Sequence, residues 1–189
     1  FAHAVRAMGK VFIGPSVEHL EMFGDKLSAK AAAREAGLPL LTGSEGAVPS
    51  VDEAVKAANA SGYPVMLKAA AGGGGKGMRV VRAGDDVAEA VAAARREAEA
   101  SFGDPTLLVE RLIQRPRHIE VQILADDHGG VLQLGERECS LQRRHQKVIE
   151  EAPSPFVSTD LRRQLGEAAI AISRICDYRG AGTVEFIID

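Results

Sequence analysis

The sequence predicts an α+β protein of two lobes, and three features of the chain lead to that fold class. A glycine-rich run at residues 71–77 lies between two short segments that predict strands, Tyr63–Lys68 and Met78–Arg82. Segments that begin with helix-capping residues lie before and after those strands. The second half of the chain opens with strict alternation from His118 to Leu124, which is typical of an antiparallel strand with one polar face.

Composition limits the class of protein. A chain of 189 residues with 46% hydrophobic and 26% charged residues is globular in composition. A formal net charge of −3 gives no general reason to bind nucleic acid or an acidic membrane surface. Cys139 and Cys176 form no CxxC pair, and no apolar run approaches the roughly 20 residues that span a bilayer. We therefore expect a cytoplasmic protein, or a mitochondrial one in a eukaryote, with no nucleic-acid or membrane partner.

The N-terminal part predicts a short strand followed by two helices. Val11–Pro15 is the strand, and a helix from about Ser16 to Phe23 follows, with Ser16 as its cap. Asp25 can cap a second helix through about Ala36. Lys26 would then lie in the first turn, where the helix dipole disfavours a cation. Its amine is either solvated or directed at an anion.

The middle of the chain predicts a compact α+β lobe over residues 41–112. Ser50–Glu53 is a capping box that opens a helix ending near Gly62. Asp86–Glu89 is a second capping box, and it opens an alanine-rich helix to about Ser101. A strand over Leu107–Ile113 completes the order helix, strand, glycine run, strand, helix, strand.

The second half predicts an antiparallel sheet and one long helix. In chain order the segments are the strand His118–Leu124, a turn at Asp127–Gly130, a return strand at Val131–Glu136, a polar run at Arg137–Lys147, a helix over Thr159–Ile175 and a final strand at Thr183–Asp189. If the end of the polar run is extended, Arg143, His145 and Lys147 share a face.

The glycine run is the clearest functional feature. Residues without Cβ atoms can bring several backbone N–H groups close to an anion, so such a loop suits phosphate. Lys76 is followed by Gly77 and then by a strand, whereas a Walker A loop or a dinucleotide fingerprint requires a helix there. The pattern favours a glycine flap between antiparallel strands that folds over a nucleotide triphosphate. The alternative is a hairpin loop with no ligand.

Isolated charges need weighing in the same way. Glu110 and Glu185 each interrupt an apolar strand, so each either faces solvent or has a function. Glu185 could be a magnesium ligand, because nucleotide sites use one or two carboxylates with the phosphate oxygens. The basic run Arg143–Lys147 could be a nucleic-acid patch or a solvated strand, but it contains no aromatic residue for base stacking.

Several long motifs together resemble biotin carboxylase, the ATP-grasp component of biotin-dependent carboxylases. They cover essentially the whole chain in the family's order. The matching segments are Phe12–Pro15, Gly24–Lys26, Gly62–Lys68 with the glycine run, Pro116–Gln122, Glu136–Lys147, Glu150–Pro153 and Gly180–Phe186.

The resemblance implies an activity and a set of site residues. ATP with Mg²⁺ or Mn²⁺ would activate bicarbonate as carboxyphosphate, and carbon dioxide would pass to biotin on a carrier domain. The residues that match the family's nucleotide-binding positions are Lys26, Lys68, Gly73, Gly74, Gly75, Gly77, Met78, Glu110, Arg111, Leu112, Ile113, His118, Gln142 and His145. Lys147 and His145 match catalytic positions, Lys147 by holding bicarbonate, and Glu185 matches a metal ligand.

The resemblance also sets expectations for the wider protein. Residues 1–40 would be the tail of the family's N-terminal domain with connecting helices, 41–112 the lid lobe of the ATP-grasp fold, and 113–189 the first part of its large lobe. The family's further metal pair, its bicarbonate-binding arginine segment and its general base are absent, so we expect a fragment with little activity alone. A carboxyltransferase partner and a homo-oligomeric parent are implied, while the acyl acceptor is not specified.

Two alternatives stay open. One is another ATP-grasp ligase of the carbamoyl-phosphate-synthetase type, which would not be expected to carry the Arg143–Lys147 run. The other is a non-catalytic module that binds nucleotide or presents a basic patch.

Overall fold

The structure is a computed structural model of the chain, and it describes residues 1–71, 77–83, 85–144 and 146–189. In chain order the helices and strands are α1 (Ala2–Ala7), α2 (Val17–Gly24), α3 (Lys26–Glu35), α4 (Val51–Ser61), β1 (Val65–Ala69), β2 (Met78–Val81), α5 (Val87–Phe102), β3 (Leu107–Arg111), β4 (Arg117–Ala125), β5 (Val131–Arg143), β6 (Gln146–Glu151), α6 (Thr159–Ile175) and β7 (Gly180–Ile188).

The chain divides into two compact units. The three-stranded unit comprises Gly24–Lys30 and Pro39–Gln114, and the four-stranded unit comprises Phe1–Phe23, Ala31–Leu38 and Arg115–Asp189. Each unit has its own antiparallel sheet and its own cluster of buried apolar side chains. In the part of the chain that the structure describes, no helix is both long and apolar enough to cross a bilayer.

The three-stranded unit has strand order β2-β1-β3, with α4 and α5 packed on the sheet. Lys68 in β1 is paired with Met78 of β2 and with Leu108 of β3, so β1 is the central strand. The core combines β-branched and leucine side chains from the strands with alanines from the helices, whose small side chains let the helices approach closely. It includes Ala54, Ala58, Val65, Leu67, Val81, Ala94, Ala98, Leu107 and Val109, each 2% exposed or less.

Local sequence signals set the starts of four helices, as predicted. Ser50 Oγ accepts a hydrogen bond from the Glu53 N–H at 3.2 Å, and Asp86 Oδ1 accepts one from the Glu89 N–H at 3.0 Å. Ser16 Oγ caps α2 through the His19 N–H at 3.1 Å, and Asp25 Oδ2 caps α3 through the Ser28 N–H at 2.8 Å. A side-chain acceptor at these positions satisfies an N–H that has no partner inside the helix.

The four-stranded unit has strand order β6-β5-β4-β7. Alternation places Ile119, Val121 and Ile123 of β4 on the face that packs against Leu165 and Ala169 of α6. The opposite face carries His118, Glu120 and Gln122, as the sequence predicts. Helix α6 also has the predicted bounds, because its apolar spacing and its Ser158 cap are both local features.

One prediction for the N-terminal part of this unit is wrong. Val11–Pro15 forms no strand, and Val11 and Ile13 are 88% and 96% exposed. A strand is stable only when a neighbour completes its hydrogen bonds, and no described strand lies beside this short apolar run. The sequence also gave no expectation of α1.

The polar run at 137–147 is not one extended segment. Strand β5 continues to Arg143, and Arg144 adopts a left-handed backbone conformation with φ of 52°, so the chain reverses there into β6. Lys147 is paired with Gln142 and Arg143 with Gln146, which places Arg143 and Lys147 on opposite faces. The prediction that Arg143 and Lys147 share a face is wrong. His145, which was predicted to lie on the same face, is outside the described residues.

Candidate functional site

A buried carboxylate in the three-stranded unit is shared between two lysines. Lys30 Nζ lies 2.9 Å from Glu110 Oε1, and Lys68 Nζ lies 2.5 Å from Glu110 Oε2. The Glu110 side chain is 11% exposed, compared with 15% for Lys30 and 25% for Lys68. Glu110 therefore does not face solvent, which was one of the two readings of its place in an apolar strand.

The backbone fixes this carboxylate at the centre of the sheet. Glu110 in β3 is paired with Met66 of β1 and makes an isolated bridge to Gly43 on its other side. A Cβ on Gly43 would lie 2.2 Å from the Val109 carbonyl oxygen, so this close approach requires glycine. The sheet thus directs the carboxylate towards the lysines of β1 and α3.

Lys26 is the first residue of α3, and its amine contacts the end of β1. Its Nζ donates to the Ala69 carbonyl at 3.0 Å and to the Ala70 carbonyl at 3.5 Å. Burial, and then the nearby positive charge of Lys68, lower the pKa of Lys26. A bound anion would relieve both effects, because it would neutralise the two amines. The Lys26 amine is thus not simply solvated, because it donates to two backbone carbonyls, and its contact with an anion stays a prediction.

The charges of this lysine–carboxylate cluster (Lys26, Lys30, Lys68 and Glu110) do not balance. Burial raises the pKa of Glu110, but its ion pairs with Lys68 and Lys30 outweigh burial, so the pKa lies below its ordinary value. The carboxylate is therefore ionised, and two lysines, Lys30 and Lys68, share its one negative charge. The positive charge of Lys26 is close enough to that of Lys68 for Lys68 to lower the pKa of Lys26. An excess of positive charge beside the glycine run is the electrostatic requirement of a phosphate site.

The described end of the glycine run meets this cluster through β1 and β2. Gly77 has φ of +66°, its carbonyl accepts the Ala69 N–H at 3.0 Å, and its N–H donates to Glu97 Oε1 at 3.2 Å. Met78 follows and is paired with Lys68. The other glycines predicted to contact phosphate, Gly73, Gly74 and Gly75, lie outside the described residues.

The segment predicted to line an adenine pocket follows Glu110. The N–H groups of Arg111 and Leu112 donate to the carbonyls of Thr42 and Pro64 at 2.8 Å and 2.9 Å, and Leu112 and Ile113 are half-buried. An open pocket of about 430 Å³ lies beside Leu112. Its lining residues are Tyr63, Pro64, Arg82, Ala83, Leu112 and Gln114.

The four-stranded unit carries a second group of predicted residues on the polar face of its sheet. We call His118, Glu120, Arg137, Gln142, Lys147 and Glu185 the polar sheet face. Glu120 of β4 is paired with Arg137 of β5 on one side and with Glu185 of β7 on the other. Two carboxylates directly opposite each other repel, so this face needs cations between them.

Lys147 supplies the shared cation. Its Nζ contacts Glu120 Oε2 and lies 3.0 Å from Glu185 Oε1. Burial lowers the pKa of Lys147, but its hydrogen bonds to Glu120 and Glu185 outweigh burial and raise it. Arg137 Nε donates to Glu120 Oε1 at 2.6 Å, and its Nη1 donates to Gln122 at 3.0 Å. Two cations thus balance two carboxylates.

His118 and Gln142 form a hydrogen-bonded pair on the same face. Gln142 Nε2 lies 2.6 Å from His118 Nδ1 and also donates to the Cys139 carbonyl at 2.8 Å. Because the amide nitrogen donates, Nδ1 accepts, and the neutral ring carries its proton on Nε2. That nitrogen lies 3.5 Å from Glu185 Oε2. The structure therefore brings His118, Gln142, Lys147 and Glu185 together, while His145 lies outside the described residues.

A possible metal-ligand group lies at the edge of the polar sheet face. One oxygen each from Glu120 and Glu150 and the sulfur of Cys139 lie within 4.8 Å of one another. Burial, followed by the charge of Glu120, raises the pKa of Cys139 to about 11, so the thiol is protonated. Both oxygens of Glu120 already contact cations, and these three residues do not have the character of a metal site.

Sequence reasoning missed three members of these clusters, Lys30, Glu120 and Arg137. Lys30 follows Lys26 by four residues on a helix, so helical spacing could have placed both on one side. Glu120 was assigned to the polar face of its strand but to no site. Arg137 gave no signal, because its pairing with Glu120 depends on the register of β4 and β5.

Comparisons with known proteins identify relatives that match all or nearly all of this chain. Residues 25–189 match the family described as "Carbamoyl-phosphate synthase L chain, ATP binding domain". The chain is 49% identical over 189 residues to the propionyl-CoA carboxylase alpha chain of Ruegeria pomeroyi, covering 100% of this chain and 28% of that protein. It is 51% identical over 178 residues to a biotin carboxylase of Nostoc, covering 94% of this chain and 40% of that protein.

Solved structures give the same result for the fold. A biotin carboxylase–β,γ-ATP complex from Campylobacter jejuni matches 100% of this chain and 42% of its own, with a TM-score of 0.95 and 47% identity. The biotin carboxylase domain of a 2-oxoglutarate carboxylase from Hydrogenobacter thermophilus, in complex with MgADP, ADP and bicarbonate, matches 100% of this chain and 42% of its own. That match has a TM-score of 0.93 and 42% identity. These neighbours confirm the predicted α+β ATP-grasp fold.

Proposed function

Because the chain belongs to the ATP-binding domain family of the carbamoyl-phosphate synthase L chain, we propose that it binds ATP with magnesium as part of a biotin carboxylase. The relatives that it matches at 49% and 51% identity are named propionyl-CoA carboxylase alpha chain and biotin carboxylase. The chain spans less than half the length of those relatives, 28% and 40%. The activity of the whole protein is accordingly part of the proposal.

The observation that carries the proposal is the positive charge of the lysine–carboxylate cluster. Lys68 lies near the end of β1, where the Lys26 amine donates to the Ala69 carbonyl, and the single carboxylate of Glu110 is shared by Lys68 and Lys30. Phosphoryl transfer needs positioning and charge neutralisation more than it needs a nucleophilic side chain. Lysines beside a glycine flap supply both.

The nucleotide-binding roles follow the sequence prediction. Lys26, Lys68 and the glycine flap, with Gly73 to Gly75, Gly77 and Met78, would hold the phosphates. Glu110 and the backbone from Arg111 to Ile113 would line the adenine pocket. His118, Gln142 and His145 would lie near the adenine and ribose. In the described residues His118 is held by Gln142, which gives its ring one orientation.

The polar sheet face fits a divalent ion through Glu185. Its carboxylate is 53% exposed and lies opposite Glu120, so an oxygen ligand is accessible there. Bound magnesium or manganese supplies charge neutralisation at the phosphate oxygens as the phosphoryl group is transferred. The ion would compete with Lys147 for this carboxylate, since the Lys147 amine lies 3.0 Å from Glu185 Oε1.

Lys147 would then hold the second substrate. Its ion pairs keep the amine protonated, and a bicarbonate anion near the metal is a suitable partner for it. In the proposed reaction a bicarbonate oxygen bonds to the γ-phosphorus of ATP, and the bond from that phosphorus to the bridging oxygen breaks to release ADP. The resulting carboxyphosphate divides into phosphate and carbon dioxide, which forms a bond to biotin N1 as the N1 proton leaves.

The proposal includes partners and domain organisation. A biotinylated carrier domain and a carboxyltransferase would work with this chain in a homo-oligomeric parent. The boundaries proposed are 1–40 for the tail of an N-terminal domain, 41–112 for a lid lobe and 113–189 for the start of the large lobe. Location in the cytoplasm, or in mitochondria of a eukaryote, belongs to the same proposal.

Binding of MgADP to the chain, measured by isothermal titration calorimetry, tests the central claim. We expect saturable binding, and Lys68→Ala should weaken it about 100-fold, because a phosphate contact from a desolvated lysine is worth roughly 2–4 kcal/mol. Lys56→Ala is the matched control, since Lys56 is an exposed lysine of the same unit. Absence of MgADP binding by the wild-type chain would leave only the non-catalytic basic-patch alternative.

A second measurement separates biotin carboxylation from carbamoyl-phosphate chemistry. In the protein that contains this chain, bicarbonate-dependent cleavage of ATP should be stimulated by biotin and not by ammonia. Stimulation by ammonia alone would favour the carbamoyl-phosphate-synthetase type of ligase.

A further inference from the structure

Lys30 is not among the predicted nucleotide-binding residues, yet its amine contacts one of the two oxygens of a buried carboxylate. Its Nζ lies 2.9 Å from Glu110 Oε1, while Lys68 takes the other oxygen. Its side chain is 15% exposed, which is less than the 25% of Lys68. A lysine this well buried is unusual unless its charge is paired, and Glu110 is the partner of Lys30.

Lys68 and Lys30 differ in how close they lie to the glycine run. Lys68 is in β1 opposite Met78, next to the end of the strand where the glycine run begins. Lys30 lies in α3 one turn beyond Lys26. Lys68 is therefore the cation placed to reach an incoming phosphate, and Lys30 is the one placed to stay on Glu110.

A phosphate that draws Lys68 away would leave Glu110 with a single partner. A buried carboxylate without a counterion is strongly unfavourable, because desolvation is no longer offset by an ion pair. Lys30 prevents that outcome, since it lies on the opposite oxygen and does not need to move. The contact with Lys30 also fixes the orientation of the Glu110 carboxylate while Lys68 contacts the phosphate.

We propose that Lys30 is a positioning residue that keeps Glu110 paired when Lys68 transfers from Glu110 to the phosphates of a bound nucleotide. The inference rests on the proposed function, because it requires that the cluster binds phosphate. It differs from a purely structural ion pair in one respect. Loss of Lys30 should weaken binding of the phosphate-bearing nucleotide and leave binding of the nucleoside almost unchanged.

The test compares MgADP and adenosine as ligands of the wild-type chain and of Lys30→Met. Methionine retains the length of the side chain and removes its charge. We expect Lys30→Met to weaken MgADP binding about tenfold and adenosine binding less than about threefold, since coupling between neighbouring charges is of that size. Lys30→Arg should restore MgADP affinity to within about threefold of wild type, because a guanidinium can hold the same carboxylate oxygen. Lys56→Met, at an exposed lysine of the same unit, should match wild type.

A double-mutant cycle protects the test against a simple folding defect. In a Glu110→Gln background there is no buried carboxylate to keep paired, so adding Lys30→Met should change MgADP affinity less than about twofold. Equal losses for MgADP and adenosine, unchanged MgADP binding by Lys30→Met, or a full additional loss in the Glu110→Gln background would each overturn the inference. Failure of the wild-type chain to bind MgADP would overturn the proposed function and the inference with it.

Discussion

Both units hold a buried glutamate between two cations, but the surrounding charges differ. Glu110 lies between Lys30 and Lys68, with Lys26 close to Lys68. Glu120 lies between Arg137 and Lys147, and Glu185 shares Lys147. In the first cluster two lysines contact one carboxylate, whereas on the polar sheet face Arg137 and Lys147 contact two carboxylates, Glu120 and Glu185.

The difference shows what each cluster can bind. A cluster with excess positive charge gains electrostatic free energy from an anion without first giving up all of its own pairs. A balanced face gains little from either sign until one of its pairs opens. Under the proposed function, the excess positive charge of the three-stranded unit suits it to phosphate, while a metal ion at Glu185 would compete with Lys147.

Removing each glutamate charge in turn gives the largest expected difference between the two clusters. Glu110→Gln should lower the free energy of unfolding by about 2 kcal/mol, because it leaves Lys30 and Lys68 without their shared counterion. Glu120→Gln should cost about 1 kcal/mol, since Lys147 keeps Glu185 and Arg137 keeps Gln122. Urea unfolding measures both values.

Adding pyrophosphate to the same unfolding experiment tests anion binding by the two variants. A ligand that binds only the folded state stabilises it by linkage, so pyrophosphate should raise the stability of Glu110→Gln more than that of Glu120→Gln. Equal stabilisation of the two variants would show that excess charge in the three-stranded unit does not select anions.

Much of this fold was predictable because its signals are local. The capping residues Ser50 and Asp86 and the apolar spacing of α6 each lie within a few positions of the feature that they determine. The strand predicted at Val11–Pro15 failed for the opposite reason, since strand formation depends on a neighbour that the local pattern does not contain.

The site was predictable only in part. Motif resemblance to biotin carboxylases singled out Lys26, Lys68, Glu110 and Lys147, and the matched relatives confirm that resemblance. The resemblance did not identify Lys30 as a partner of Glu110, and Lys30 is 80 positions away in sequence. Only the packing of α3 near β3 brings the two together, and no periodicity in either segment encodes it.

We expect an effect of intermediate size on the affinity of the polar sheet face for a metal ion. Lys147→Met removes the cation between Glu120 and Glu185 and leaves two carboxylates opposite each other. Mn²⁺, followed by electron paramagnetic resonance, should bind this variant about tenfold more tightly than wild type, because it no longer competes with the amine.

Arg143→Met is the matched control, since Arg143 is an exposed cation of the same hairpin on the opposite face. It should leave Mn²⁺ affinity unchanged. Weaker Mn²⁺ binding by Lys147→Met would contradict the claim that Lys147 and the metal compete for Glu185.

The smallest expected effect concerns pH, where the two glutamates should behave alike. Burial raises the pKa of both Glu110 and Glu120, but Lys68 and Lys30 in one case, and Lys147 and Arg137 in the other, outweigh it and lower the pKa below the ordinary 4.5. A lowered pKa in the folded state contributes stability above pH 4.5, and that contribution is lost as the pH falls through the folded value. Unfolding free energies of wild type should therefore decline from pH 5 towards pH 3, in a window of roughly two units around the ordinary value.

Glu110→Gln and Glu120→Gln should each make this decline shallower, because glutamine does not titrate, and Glu45→Gln at an exposed position of the three-stranded unit serves as the control. Urea unfolding at several pH values measures the slopes. A slope reduced by Glu120→Gln but unchanged by Glu110→Gln would mean that Lys30 and Lys68 do not lower the pKa of Glu110. The ion pairs of Glu110 would then contribute no net stability to its ionised form, and the role proposed for Lys30 would lose its physical basis.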